Sequence, residues 1–167
     1  MKLDLHLFKL INGYAKKYNL LDFFAKIFAV YAGYFLILII ILYALFYRDI
    51  KILIFPFLAM LFARFIINQS IYQIYKRKRP QEVLEVNSLV KKPQYPSFPS
   101  SHTAVFFALS FSILPYNLTL GLLFCTVSFF IALSRIFCGV HWPLDVLAGI
   151  FSGFISFIVI NLLKLYV

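Results

Sequence analysis

Chemistry is most readily read in this chain from His141 and Asp145, four residues apart in "SRIFCGVHWPLDVLAG", residues 134–149. Pro143 between them suits the first turn of a helix, and positions i and i+4 share a helix face. A carboxylate beside an imidazole fixes its tautomer and steadies the imidazolium. The far ring nitrogen is then free as a nucleophile. A capping aspartate next to a packed histidine is the plainer alternative. A second imidazole stands in "YPSFPSSHTAVFF", residues 95–107, where Pro99, Ser100, Ser101 and His102 open an apolar run. The start of a helix offers free N–H groups and the positive end of its dipole, a setting that favours an anion. Ser100 and Ser101 add hydroxyl donors, although a serine N-cap would account for them without a ligand. With two histidines, one can attack phosphorus while the other protonates the leaving oxygen. Arg79 and Arg135 supply planar forks matched to phosphate oxygens, able to hold transition-state charge without a metal. The carboxylates are Asp4, Asp22, Asp49, Glu82, Glu85 and Asp145. No two are spaced on one helix face to hold magnesium at this site, so no metal and no cofactor is expected.

The elements that must position these residues are those of a membrane protein. The chain has 167 residues, 63% hydrophobic and 13% charged, with mean hydropathy +0.91. A soluble domain of this size lacks the interior to hide so much apolar side chain. The fold class expected is all-α, an integral membrane bundle of about five transmembrane helices plus an N-terminal interfacial helix. It forms one domain over residues 1–167. The spans are expected at 27–47 (starting near Leu20), 52–75 with Arg64 inside it, 102–114, 118–134 and 144–163. Residues 1–19 carry Leu3, Leu7, Leu10, Ile11 and Tyr14 near helical spacing with lysines between, hence the interfacial helix. No cleavable signal peptide is expected there, because a compact apolar core with a small-residue cleavage site is missing. Residues 76–100, with Pro80, Pro93, Pro96 and Pro99, form a polar loop. Gly149 and Gly153 make a G-x-x-x-G, a mark of close helix packing. Cys125 and Cys138 lack zinc or redox spacing and read as buried free thiols. The net charge of +10 is confined to short breaks between apolar runs. That fits the bilayer's lipid headgroups or an anionic substrate as partners, not nucleic acid. Nothing in the sequence fixes an oligomeric state. Counting spans places 76–80, 100–103, 134–135 and 141–145 on one membrane face, so the candidate residues converge.

Together these residues resemble the type 2 phosphatidic acid phosphatase (PAP2) superfamily, with motifs K-x6-R-P, P-S-G-H and S-R-x5-H-x3-D. Here Arg79-Pro80, then Pro99-Ser100-Ser101-His102, then Ser134-Arg135, His141 and Asp145 stand in that order, the third with the family spacing intact. The resemblance implies a metal-independent lipid phosphate phosphatase. It implies His141 as the nucleophile that forms a phosphohistidine, Asp145 as its relay carboxylate and His102 as general acid. Arg79, Ser100 and Arg135 are implied as ligands of the phosphoryl oxygens. Two positions depart from the pattern. Ser101 replaces the family's glycine, either as a second hydroxyl toward phosphate or simply as a tolerated small residue. Tyr72 stands where the first motif has lysine; Lys76, one helical turn nearer Arg79, is expected to bind phosphate in its place, with Lys78 adjacent.

Within the superfamily, the length and the N-terminal "LFKLINGYAKKYNLLDFFAKIFAVYAGYF" are similar to bacterial undecaprenyl-diphosphate phosphatases of the bacitracin-resistance type. Lipid A 1-phosphatases are similar in size and motif. The implied substrate is undecaprenyl diphosphate, cleaved to the monophosphate and phosphate. Lipid A, phosphatidylglycerophosphate and phosphatidate are the alternatives. A different class of protein, a small transporter or channel subunit whose basic face binds anionic lipid, would draw on Arg64 in mid-span. The spacing of His141 and Asp145 argues against it. The positive-inside rule alone would put the basic face in the cytoplasm. The resemblance implies a bacterial inner-membrane protein with an extracytoplasmic site, and several of these charges have a substrate to bind.

Overall fold

The computed structural model describes residues 2–91 and 94–164. Pro93 of the expected loop and both ends of the expected domain lie outside them. Among the described residues there are helices and no strands. In chain order they are α1 (Lys2–Asn12), α2 (Asn19–Tyr47), α3 (Lys51–Ile74), α4 (Pro80–Val83), α5 (Ser101–Ile113), α6 (Leu118–Phe137) and α7 (Pro143–Lys164).

Helices α2, α3, α6 and α7 have 29, 24, 20 and 22 residues and are long and apolar enough to cross a membrane. Helix α5 has 13 residues, about 20 Å of rise, against a hydrocarbon core of about 30 Å. The five expected spans are therefore four of full length and one short helix sunk in the bundle. Thr103, Ala104, Phe107, Ala108, Leu109, Ser110, Ser112 and Ile113 of α5 are all buried. This helix meets protein on most sides, and so need not match the bilayer. Leu36 and Ile40 of α2, Leu109 and Ile113 of α5, and Phe124 and Ile131 of α6 form one apolar core around it.

The G-x-x-x-G is an internal contact between α5 and α7. A Cβ at Gly149 would stand 2.7 Å from the Ser100 carbonyl oxygen, and one at Gly153 2.7 Å from that of Ala104. This close approach brings the start of α7 against the start of α5, where the Ser100 N–H donates to the Asp145 carbonyl at 2.9 Å.

Helix α1 ends at Asn12, short of the expected 19. The Asn12 amide donates to the carbonyls of Asn87 and Phe137, tying the helix to the long loop and to α6. Phe8 packs on Trp142 with ring centroids 5.1 Å apart. Leu3 and Leu10 stay exposed on α1, beside Lys2 and Lys9.

Helices α2 and α3 each contain a wider, π-helical stretch, Ile27–Tyr31 and Phe62–Asn68. Arg64 lies in the second.

Candidate active site

The sequence around His141 folds to aim one ring nitrogen inward. Gly139 takes φ 81° just after α6, a left-handed helix exit that glycine adopts without strain. The backbone N–H groups of Val140 and His141 then donate to the Arg135 carbonyl at 3.1 and 3.3 Å. The His141 side chain is only 2% exposed. Its Nδ1 lies 2.8 Å from the Ser97 carbonyl. A carbonyl only accepts, so Nδ1 carries the proton and Nε2 the lone pair. Nε2 lies 3.1 Å from Arg79 Nη1.

Asp145 sits in the first turn of α7 and is fully buried. His141 precedes that helix, so the pair meets across a turn and not along one helix face. The Asp145 carboxylate lies 3.5 Å from His141 Nδ1, farther than the Ser97 carbonyl. It accepts from Trp142 N at 2.8 Å, from Ser97 Oγ at 2.5 Å and from Arg77 Nη1 at 2.6 Å. Ser97 thus touches both members of the pair, its hydroxyl on Asp145 and its carbonyl on His141.

Arg77 spans the two ends of the chain. Its second nitrogen pairs with buried Asp4 of α1, whose other oxygen accepts from Leu144 N at 2.9 Å. Burial pulls the Arg77 guanidinium down, but Asp145 and Asp4 outweigh it and hold it above the ordinary arginine value. Burial pushes the His141 imidazole down to about 4; Arg79 and Arg135 add to this and Asp145 opposes it. His141 is therefore neutral at neutral pH and keeps its lone pair.

A cavity of about 310 Å³ opens in front of Nε2, lined by Arg64, Tyr72, Arg79, Tyr95, Ser101, His102, Val105, Phe106 and His141. The structure thus brings together His141, His102, Arg79 and Ser101 as the sequence implied, with Asp145 behind His141. His102 and Phe106 also line a second cavity of about 130 Å³, walled by the π-helical stretch of α2.

Three expected phosphate ligands are placed differently. Ser100 is fully buried and makes no side-chain cap; its hydroxyl accepts from Thr103 Oγ1 at 3.1 Å. Its part is to dock α7 on α5 through its backbone. Arg135 is 4% exposed, donates from Nη1 to the Ala29 carbonyl at 3.1 Å, and its buried Nε has no partner among the described residues. Lys76 does not keep the helical register expected of it. Helix α3 ends at Ile74, and Tyr75 turns out with φ −124° and ψ 100°. Four consecutive cations run into Pro80, and the residue before proline disfavours the helical region. Lys76 is exposed and lines a separate rim hollow with Arg77, Lys78, Glu82, Gln94, Tyr95 and Pro96.

Arg79 is 2% exposed and is gripped by carbonyls of Val140, Tyr95 and Pro96 at 2.7, 2.9 and 3.1 Å. Burial lowers it from the usual arginine value. Tyr72, in place of the lysine, donates to the Pro99 carbonyl at 2.7 Å and meets Ser101 Oγ at 2.8 Å. The cysteines are both free. Cys138 is buried, and burial pushes its thiol up to about 11.

Sequence reasoning missed Arg77, Ser97, Tyr95 and Asp4. The one signal for Arg77 was the cost of a lone buried aspartate, which called for a cation.

Known proteins resemble this chain in sequence and in fold. A model of the PAP2 superfamily matches residues 52–166. "Bacitracin transport permease protein BcrC" of Bacillus licheniformis is 33% identical over 93% of this chain and 77% of its own length. "Undecaprenyl-diphosphatase BcrC" of Bacillus subtilis is 33% identical over 63% of this chain and 56% of its own. Among solved structures, Aquifex aeolicus LpxE superposes with TM-score 0.79 at 30% identity, covering 95% of this chain and 94% of that one. A PAP2-type phosphatidylglycerolphosphate phosphatase from B. subtilis superposes with TM-score 0.71 at 20% identity, covering 99% and 86%, a likeness of fold alone. With a residue of each motif lining one cavity, and the match covering residues 52–166, the chain belongs to the PAP2 superfamily of membrane phosphatases.

Proposed function

We propose that this phosphatase hydrolyses a lipid diphosphate through a phosphohistidine on His141, with undecaprenyl diphosphate as the substrate. The observation that carries this is the His141 tautomer: Nδ1 donates to the Ser97 carbonyl while Nε2 faces Arg79 at the cavity wall. The Nε2 lone pair attacks the terminal phosphorus. The bond from that phosphorus to the bridging oxygen breaks, and His102, protonated once the negative charge of the phosphate stands beside it, gives the leaving lipid phosphate its proton. Water then attacks the phosphohistidine, His102 takes the proton, and inorganic phosphate leaves. Arg79 changes partner in the first step. Its Nη1 lies on Nε2, and phosphoryl oxygens, as stronger acceptors, draw it off and unmask the lone pair. Arg135 adds positive charge from behind, and the start of α5, without a side-chain cap, faces the anion.

The chemistry needs no divalent ion. The Asp145 carboxylate behind His141 shares the Arg77 guanidinium with Asp4, and both serve as its counter-ions. The substrate assignment is supported by the relative named for undecaprenyl diphosphate. A second reading, removal of the 1-phosphate of lipid A, is favoured by the likeness to LpxE. A transport role, as in the name of the B. licheniformis relative, lost its best support when Arg64 came to line the phosphatase cavity. The bilayer is the bacterial inner membrane and the cavity opens extracytoplasmically, on the strength of the family resemblance.

The test is phosphate release from a panel of purified lipids in detergent. Undecaprenyl diphosphate should be the best substrate, EDTA should leave turnover intact, and acid-labile labelled phosphate should be trapped on wild type. His141→Ala should abolish turnover and trapping together. Full turnover by His141→Ala would overturn the mechanism, and a clear preference for lipid A would overturn the substrate.

A further inference from the structure

Arg64 has no place in the family's motifs, yet it lines the cavity. It sits within membrane-spanning α3, where a cation is costly and calls for a function. The guanidinium lies 4.7 Å from the centroid of Tyr95 and 5.9 Å from that of Tyr72, and Nη1 reaches the Gln69 side-chain oxygen at 3.5 Å. Rings and one distant amide oxygen orient the group without neutralising it. At ideal pitch, positions 64 and 72 point about 80° apart; the wider π-helical turn over Phe62–Asn68 reduces that difference and brings both to one cavity. Such turns recur at functional sites.

Depth assigns the ligand. Arg79 and His141, which flank the reacting phosphorus, lie beyond the ends of α3 and α6. Arg64 is ten residues back along α3 from Ile74, so its backbone lies deeper along the axis and its guanidinium enters the cavity from the membrane side, against the Tyr95 ring. In a lipid diphosphate the terminal phosphate reacts and the other stays on the lipid, on the membrane side. We infer that Arg64 binds this lipid-proximal phosphate, restores the charge lost with Tyr72, and makes the cavity selective for diphosphate over monophosphate head groups. The inference rests on the phosphatase reading above.

The test compares farnesyl diphosphate with farnesyl monophosphate in detergent. Arg64→Gln should lower kcat/KM on the diphosphate about thirtyfold, the loss of one charged hydrogen-bonded contact. On the monophosphate it should change by about threefold at most. Arg64→Gln/Tyr72→Lys should recover part of the diphosphate rate, which a purely structural Arg64 would not allow. Equal losses on both substrates, or no loss on the diphosphate, would overturn the inference and leave the phosphatase reading standing. So would a wild type active on the monophosphate alone. A wild type that hydrolyses neither would overturn both. If the neutral variant does not fold, Arg64→Lys serves: its point charge should cut diphosphate selectivity about threefold, and unchanged selectivity counts against the inference.

Discussion

Replacing Arg77 with glutamine should disable the protein by a route that no motif suggests. Arg77 holds Asp145 at 2.6 Å and Asp4 with its other nitrogen. The carboxylate side chains are 0% and 3% exposed and that of Arg77 17%, so solvent screens the trio little. Removing one partner of a buried pair costs on the order of 3–5 kcal/mol, because the surviving charge stays buried. Two carboxylates are orphaned here, but Asp145 keeps the Ser97 hydroxyl and Trp142 N–H, and Asp4 keeps Leu144 N–H. The lower end, about 3 kcal/mol, is expected. For a chain of this size that is about 6–12 °C in Tm. The assay is thermal unfolding in detergent at pH 7. Asp4→Asn should cost less in the Arg77→Gln background than in wild type, because its partner is already gone. Turnover should fall about tenfold as Asp145, no longer held by Arg77, loses its fixed position behind His141. A variant with wild-type Tm and additive costs would refute the bridge between α1 and the catalytic pair.

Four further outcomes follow from the same geometry. Lys76→Ala should change kcat/KM by no more than about twofold, since Lys76 is an exposed rim charge; a hundredfold loss in the steady-state assay would return it to the site. Gly149→Ala should lower Tm, since a methyl 2.7 Å from the Ser100 carbonyl oxygen overpacks the interface by about 1–3 kcal/mol. With the His141 imidazole held down to about 4, protonation removes the nucleophile only near that pH. The acid limb of kcat/KM should therefore lie near 4 and not near the ordinary 6.5. Tyr72→Phe and Ser101→Gly should be non-additive in thermal unfolding by about 1 kcal/mol, as expected of residues sharing one hydrogen-bonded network.

The parts of the site legible in the sequence are those whose spacing is local. His141 and Asp145 are four apart, so a single turn decides their meeting, and the helix mouth at Ser101 announces itself by Pro99 and two serines. The convergence of four chain breaks needed only a count of spans. What stayed hidden depends on loop geometry or on departures from ideal helices. Ser97 reaches Asp145 because the long loop folds back, with Ser97 N donating to the Arg77 carbonyl at 2.9 Å; composition does not encode that path. In a run of four cations, which ones turn inward is decided by where α3 stops, and it stops at Ile74, before Lys76. Arg64 was visible but unassigned, since ideal periodicity turns it away from Tyr72.

The two departures from the family pattern are one physical exchange. Tyr72 is 5% exposed, so its hydroxyl needs partners. The Asn68 amide donates to Ser101 Oγ at 3.2 Å, and Tyr72 donates to the Pro99 carbonyl. The Ser101 proton is then free for the Tyr72 oxygen, giving one chain of donors from Asn68 through Ser101 and Tyr72 to Pro99. A glycine at 101 would break that chain twice, leaving the Asn68 amide and the Tyr72 oxygen short of a partner. A lysine at 72 would have no use for it. The serine therefore belongs with the tyrosine. Together they fix the turn that opens α5 by neutral hydrogen bonds, and the positive charge that a lysine would have brought comes from Arg64 instead.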